Sequence, residues 1–402
     1  PMKKSIRDLT LLLALLFSAI HCFGQEYRLS SPDKKLEVVV KLSDEALMYS
    51  VQYNNFLILE DSPLGLVSNI GDFKNNLKFV GKADSIIDKK YIQDRIKKSK
   101  IHYLANETKL ALKNENGQII YITFRVSNND IAFRYSLPFE KETACCIIEK
   151  EYTGFRFPDN TTTFLTPQAT PMIGWKRTKP SYEETYISDE AISTKSKYGI
   201  GYTFPALFHA EDHWALISET GVRSLYCASR LSEGDRSGLY TISYPEKGEN
   251  NGIGNAQPAI ALPADLPWHT ITIGNSLKPI VETTIPFDVV EPLYNVSQNY
   301  KIGRSTWSWI MWQDNSINMD DQIKYVDLAA TLGYEYVLID GLWDKQIGYN
   351  NIPSLFKYAQ SKGIDVFLWY NSNGYWNDAP QGAKQKMSNS ITRQKEMKWL
   401  KE

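Results

Sequence analysis

The sequence predicts a large antiparallel β-sandwich followed by parallel βα units, and three observations carry that expectation. Residues 26–285 form a long series of short runs alternating apolar and polar with a period of two, separated by Gly, Asn, Asp and Pro. Near residue 290 the pattern changes to continuous apolar runs that alternate with helix-length stretches. Ahead of both lies a short segment with the three-part form of a secretory leader.

That leader comes first. "KKSIR" is basic, "LTLLLALLFSAI" is apolar, and "HCFGQ" contains the small residue Gly24. The apolar part is short for a membrane span, so residues 1–24 are expected to be a signal peptide cleaved after Gly24. A lipoprotein site at Cys22 fits less well, because His21 stands where a small residue is wanted. No second long apolar run follows, so no membrane span is expected after processing, and in a bacterium the destination would be periplasmic.

Residues 25–288 are expected to form the sandwich. "KLEVVVKL" (35–42), "LMYSVQYN" (47–54), "IIYITFRVS" (119–127), "DIAFRYSLP" (130–138) and "HWALISET" (213–220) all alternate, and more than ten such runs without a clear helix imply an all-β domain of unusual size. The basic stretch "DKKYIQDRIKKSKIHY" (88–103) reads as a solvated edge strand and loop. Residues 289–402 read differently. "STWSWIMW" (305–312) can be a strand, "NMDDQIKYVDLAATLG" (318–333) has helical spacing, and "YEYVLID" is a strand. "NIPSLFKYAQSKG" (351–363) is a helix closed by Gly363, "IDVFLWYN" (364–371) a strand, and "SITRQKEMKWLKE" opens another helix. Either a barrel or an open doubly wound sheet could begin this way. A barrel of eight units needs about 250 residues and only about 110 remain after residue 290, so the chain is expected to stop within this domain.

Composition narrows the function classes. Lys+Arg total 45 against Asp+Glu 46, without the cationic excess that a nucleic-acid partner favours. With Cys145, Cys146 and Cys227 left after the leader and no C-x-x-C, neither a disulfide framework nor a zinc site is indicated. Trp 10 and Tyr 24 are numerous and suit stacking on sugar rings, although large cores use such residues too. "GIGNAQ" (252–257) lacks the third glycine and the strand–helix context of a dinucleotide loop. "HAEDH" (209–213) sits between two strands and reads as a hairpin turn, not a zinc motif. There is no G-x-S-x-G.

The carboxyl ends of the parallel strands are more informative, because residues there face a shared active-site mouth in a barrel. The first strand offers Trp307, Trp309 and Trp312, the second Asp340 with Trp343, and the third Trp369, Tyr370 and Asn371. A carboxylate flanked by indoles suits a pyranose: ring faces stack on C–H patches while Asp or Asn directs hydroxyls. The competing reading is that Asp340 caps the next helix and the tryptophans fill the layer between helices and sheet, which is favoured for Trp309. In "PSYEETYISDE" (180–190), a carboxylate-rich loop could hold a hard cation such as Ca²⁺, but such stretches are more often solvated loops.

Together these segments resemble glycoside hydrolase family 97, bacterial α-glycosidases of the α-glucosidase and retaining α-galactosidase type. The likeness runs through "LSSPDKKLEVVV", "MYSVQYNNFLILEDSPLGL", "NDIAFRYSLP", "SYEETY", "LPWHTITIG", "GRSTWSWIMW", "YVDLAATLGYEYVLIDGLW" and "GIDVFLWYN". It implies a mutarotase-like supersandwich followed by the first three βα units of a (β/α)₈ TIM barrel. It implies a Ca²⁺-dependent, exo-acting enzyme on terminal α-galactosyl or α-glucosyl residues of oligosaccharides, with the retaining α-galactosidase type favoured by the "WSWIMW" opening. A sandwich glutamate would supply a calcium ligand, at Glu183 or else Glu184, which reverses the solvated-loop preference. Asp340, Trp312, Trp343, Trp369 and Asn371 would line the sugar site, and Glu219, near the end of "HWALISET", would face it. In this family the two catalytic carboxylates lie at or beyond the fourth strand, so none is assigned within the 402 residues. The alternatives are a non-catalytic glycan-binding protein and an aldose epimerase. The latter needs a His–carboxylate pair, and no carboxylate partner is identifiable from sequence for His102, His209, His213 or His269.

Overall fold

A computed structural model describes residues 24–43, 45–94, 96–139, 144–169, 185–246, 255–294, 300–370, 387 and 389–402. Residues 1–23 of the leader, both Glu183 and Glu184, and Asn371 lie outside the described residues. Among those described, one compact unit ends at Glu291 and a second begins at Pro292.

The first unit is built of antiparallel sheets. A four-stranded meander comprises Gln25–Ser30, Leu36–Leu42, Leu47–Tyr53 and Phe56–Pro63. A ten-stranded sheet runs from Glu190–Ala191 through Thr161–Phe164, Ala206–Ala210, His213–Thr220, Trp268–Gly274, Asp130–Leu137, Ile119–Val126 and Lys100–Lys113 to an edge at Lys78–Ile92, with Ala264–Asp265 pairing Asp130–Leu137 off this path. Alternation places one side of each strand in a common core. Tyr49 of the meander meets Phe124 and Phe133 of the large sheet, with ring centroids 6.2 and 5.3 Å apart. Fully burying aromatic rings of this size stabilises by roughly 1.5–3 kcal/mol each. The basic stretch lies on the edge strand and its hairpin, which are largely exposed, as a strand bristling with Lys and Asp should be. "HAEDH" closes the tight hairpin between Ala206–Ala210 and His213–Thr220, with Glu211 at φ 52°. Two short helices, Leu277–Glu282 and Ile285–Val289, end the unit, where the alternating pattern had suggested strands alone.

The second unit has three parallel strands in the order Ser305–Trp307, Tyr336–Ile339, Asp365–Leu368. Between the first two runs the helix Met319–Leu332, capped by Asn318, whose side chain accepts from the Asp321 amide, and closed by Gly333 at φ 64°. Ile352–Ser361 links the second strand to the third, and Ser390–Lys401 follows. Val326, Ala329, Val337, Ile339, Leu355 and Ala359 form the core between helices and sheet. "STWSWIMW" is not one strand. It bends after Trp307 into a helical turn, Trp309–Trp312, because Ser308 is already in the αR region. Among the described residues, no helix is long and apolar enough to cross a membrane.

Candidate active site

Parallel pairing sets Trp307 beside Leu338, so the carboxyl ends of the first two strands lie together. Asp340 follows the last residue of the second strand. Its Oδ2 accepts from the Trp307 indole Nε1 at 2.7 Å, and its Oδ1 accepts from the Gly341 amide at 2.6 Å. A carboxylate held by one N–H on each oxygen is fixed in orientation and keeps lone pairs for further donors. Leu342, at φ 73°, turns the chain sharply after Gly341, a conformation that costs a leucine about 1–3 kcal/mol. The helical turn that follows has Trp343, not Asp340, at its N-cap, with no side-chain capping bond. The helix-cap reading of Asp340 therefore fails.

The indoles separate into distinct roles. Trp307 stacks on Trp309 at 5.7 Å and 16°, and the Trp309 indole donates to Asp314 at 2.8 Å. Trp309 also packs against the core, in keeping with the filling role favoured for it. Trp312 is 48% exposed and meets Tyr325 edge-on at 5.1 Å, which leaves indole surface open to solvent. Next to it, Gln313 adopts φ 56° and ψ −157°, a region that glycine alone enters readily. Trp343 is a correction to the sequence expectation. It is fully buried, lies parallel to Trp399 at 5.9 Å, and donates its indole N–H to the Trp369 carbonyl at 2.9 Å. The left-handed turn at Leu342 sends it into the core, so it cannot reach a sugar. Trp369 is half-buried and extends the third strand, its amide donating to the Ile339 carbonyl at 3.0 Å.

Glu219 belongs to the first unit. Both of its oxygens are engaged by Ser229, the hydroxyl at 2.6 Å and the amide at 3.1 Å, and burial pushes its pKa up. Across the strand pair it lies beside His269, which exposes a constellation the sequence concealed. His269 Nε2 lies 2.6 Å from Glu151 Oε1, and the Tyr226 and Tyr244 hydroxyls reach Glu151 Oε2 at 3.4 and 3.3 Å. Burial tends to raise the Glu151 pKa, but the imidazolium outweighs it and holds the carboxylate below its usual range. Burial tends to lower His269, and Glu151 outweighs it in turn, raising the imidazole. The histidine thus has the partner that sequence reasoning could not find, 118 residues away. At 2% and 1% exposure the pair is sealed from any sugar, so its geometry does not serve epimerisation. His102 likewise pairs with Asp88 at 2.8 Å, on the surface.

Comparison with known proteins gives these features a family. The model for the glycosyl-hydrolase 97 N-terminal domain matches residues 29–292. The chain belongs to glycoside hydrolase family 97. Among its relatives is a probable retaining alpha-galactosidase of Streptomyces bingchenggensis, 24% identical over 92% of this chain and 58% of that protein. A solved beta-arabinopyranosidase is 54% identical and superposes with a TM-score of 0.91, covering 94% of this chain and 60% of that one. A family 97 enzyme from Pseudoalteromonas sp. strain K8, solved with panose, shares the fold at 21% identity and a TM-score of 0.71, over 87% of this chain and 55% of that one. This family 97 chain therefore spans somewhat under two thirds of the length of the relatives it matches. Most glycoside hydrolases cleave with two carboxylates, whose separation sets the stereochemical outcome. Asp340, with each oxygen accepting one N–H, keeps lone pairs free at the carboxyl end of the second strand. Among the described residues, no group of three or more His, Cys, Asp or Glu side chains is placed to hold a metal ion.

Proposed function

We propose that the protein is an exported, exo-acting glycosidase whose second unit begins a (β/α)₈ catalytic barrel behind a mutarotase-like supersandwich, and which removes terminal sugars of galactose configuration, α-D-galactopyranosyl or β-L-arabinopyranosyl. The observation that carries the reading is the Asp340 carboxylate, fixed by Trp307 and Gly341 at the carboxyl end of a parallel strand. The half-exposed Trp312 of the same unit offers a ring face for stacking. β-L-Arabinopyranose has the ring-hydroxyl configuration of α-D-galactopyranose and lacks only its hydroxymethyl group, so the two activities named for the relatives call for one kind of site. An α-glucosyl substrate is the second reading, favoured by the panose complex of the Pseudoalteromonas enzyme.

The chain's own contribution is binding and orientation. Asp340 accepts hydrogen bonds from adjacent hydroxyls, and indole faces cover the apolar side of the ring while excluding water. A Ca²⁺ ion held by Glu183 or Glu184 would add a fixed positive charge that orients carboxylates and substrate. Both glutamates lie outside the described residues, so this part rests on the family resemblance alone.

The full-length protein should hydrolyse aryl α-D-galactopyranoside or β-L-arabinopyranoside faster than the α-D-glucopyranoside, and Asp340→Asn should weaken substrate affinity with folding intact. Turnover of none of the three defeats the enzyme reading, and turnover of the glucoside alone defeats the assigned configuration. If Asp340→Asn changes stability and not affinity, the ligand role is wrong. A chelator should abolish activity and lower the melting temperature; neither effect would be seen without calcium.

A further inference from the structure

The first unit contains a pocket of about 760 Å³ that the glycosidase reading does not use, lined by Arg125, Arg134, Arg223, Trp268 and Asp265 among others. This volume lies within the range of small-molecule sites, about 300–1,000 Å³. Its charges do not cancel. The Arg125 Nε is bound to Glu107 at 2.6 Å, Arg134 pairs with Asp265 at 2.8 Å, and Glu291 on the wall is drawn to Lys89 at 2.5 Å. Arg223 is exposed on the wall and forms no ion pair among the described residues, so the pocket retains one uncompensated cation.

Its hydrogen-bonding capacity is also one-sided. Each guanidinium carries five N–H donors and no acceptor. Among the described residues, the Arg134 Nε, buried in the wall, has no acceptor. Arg125 and Arg134 are held over the Trp268 ring, 5.0 and 4.3 Å from it, and Trp268 is itself buried. The two guanidiniums are therefore positioned before any ligand arrives, which limits the entropy lost on binding. Trp268, 2% exposed, is no stacking platform, so polar anchoring in this pocket falls to the arginine donors, beside apolar wall residues such as Leu225.

We infer that this pocket binds a saccharide bearing an oxyanion, a uronate carboxylate or a sulfate ester, apart from the sugar that is hydrolysed. Planar guanidiniums match such groups by paired N–H donors, and a neutral sugar would leave the surplus donors and charge unanswered. A carboxylate and a sulfate offer the same acceptor chemistry, so the probes must separate them.

Calorimetry on the full-length protein, with D-galacturonate, galactose 6-sulfate and galactose as probes, tests this. Galacturonate or the sulfate should bind, and galactose should bind at least roughly fivefold more weakly. The affinity should fall as sodium chloride rises from about 0.05 to 0.5 M. Arg223→Ala should weaken binding by about fivefold or more and leave hydrolysis of an aryl glycoside unchanged, which keeps this test separate from that of the enzymatic reading. The stronger anionic probe names the ligand. The proposal is overturned if neither anion binds, if galactose binds equally well, or if Arg223→Ala has no effect on anion affinity.

Discussion

Removing the Glu151 side chain is the most informative single change in the sandwich. Glu151→Ala leaves His269 buried at 2% exposure with no acceptor for its Nε2, and strips the Tyr226 and Tyr244 hydroxyls of a shared partner. Breaking a buried ion pair from one side costs about 3–5 kcal/mol, a large share of the roughly 5–15 kcal/mol by which a protein is stable. For a unit of this size, with about 2–4 °C per kcal/mol, the sandwich transition in scanning calorimetry should fall by about 6–20 °C. The pH profile provides an independent check. Glu151 is held below its ordinary value near 4.5, so its contribution is present above that value and is lost as pH falls through the lower folded value. His269 is raised above its ordinary value near 6.5, so its contribution is complete below 6.5 and is lost as pH rises through the higher folded value. Glu219 is raised by burial, so its contribution is complete below about 4.5 and is lost as pH rises through its higher folded value, which trims the maximum from its acid end. The pair should therefore stabilise most between about pH 4.5 and 6.5, and Glu151→Ala should flatten that maximum. Replacing Glu151 and His269 together by leucine should recover much of the loss, because burying apolar groups in place of an ion pair is often neutral or better. A single-variant loss under about 1 kcal/mol, or an unchanged pH profile, would refute the reasoning.

Three further outcomes follow from the second unit. Trp307→Phe keeps a ring against Trp309 but removes the N–H that holds Asp340; in the full-length enzyme KM should rise about 5- to 20-fold with little change in melting temperature, and an unchanged KM would show that Asp340 needs no such support. Trp343→Ala empties a fully buried site and should cost about 3–5 kcal/mol in denaturant unfolding, whereas a role at the sugar would show in affinity at nearly full stability. Gln313→Gly should stabilise by about 1 kcal/mol, because glycine adopts φ 56°, ψ −157° without strain; a destabilised variant would mean that the Gln313 contact to the Trp309 carbonyl, 3.2 Å, outweighs the strain.

Much of the fold was legible because it is local. Period-two alternation marks strands such as Leu36–Leu42 and Ile119–Val126, since every second side chain must face the core. Apolar runs ending in Gly333 and Gly363 mark βα units, since only glycine closes a helix cheaply at φ 64° and 73°. "STWSWIMW" misled because its aromatic and β-branched residues favour a strand throughout, while the αR conformation at Ser308 that turns the chain overrides that preference.

Sequence alone therefore determined the order of the two architectures, the family resemblance, and the placing of Asp340 at a strand end, each a matter of neighbours along the chain. Tertiary structure decided what those residues do. Asp340 is held by an indole from the adjacent strand, and Trp343, three residues on, turns inward because Leu342 takes a left-handed conformation. His269 and Glu151 meet across 118 residues only because strands of different sheets enclose one core. Hydrogen bonds and burial depend on distance in space, and no local pattern encodes a partner that the chain reaches only after folding.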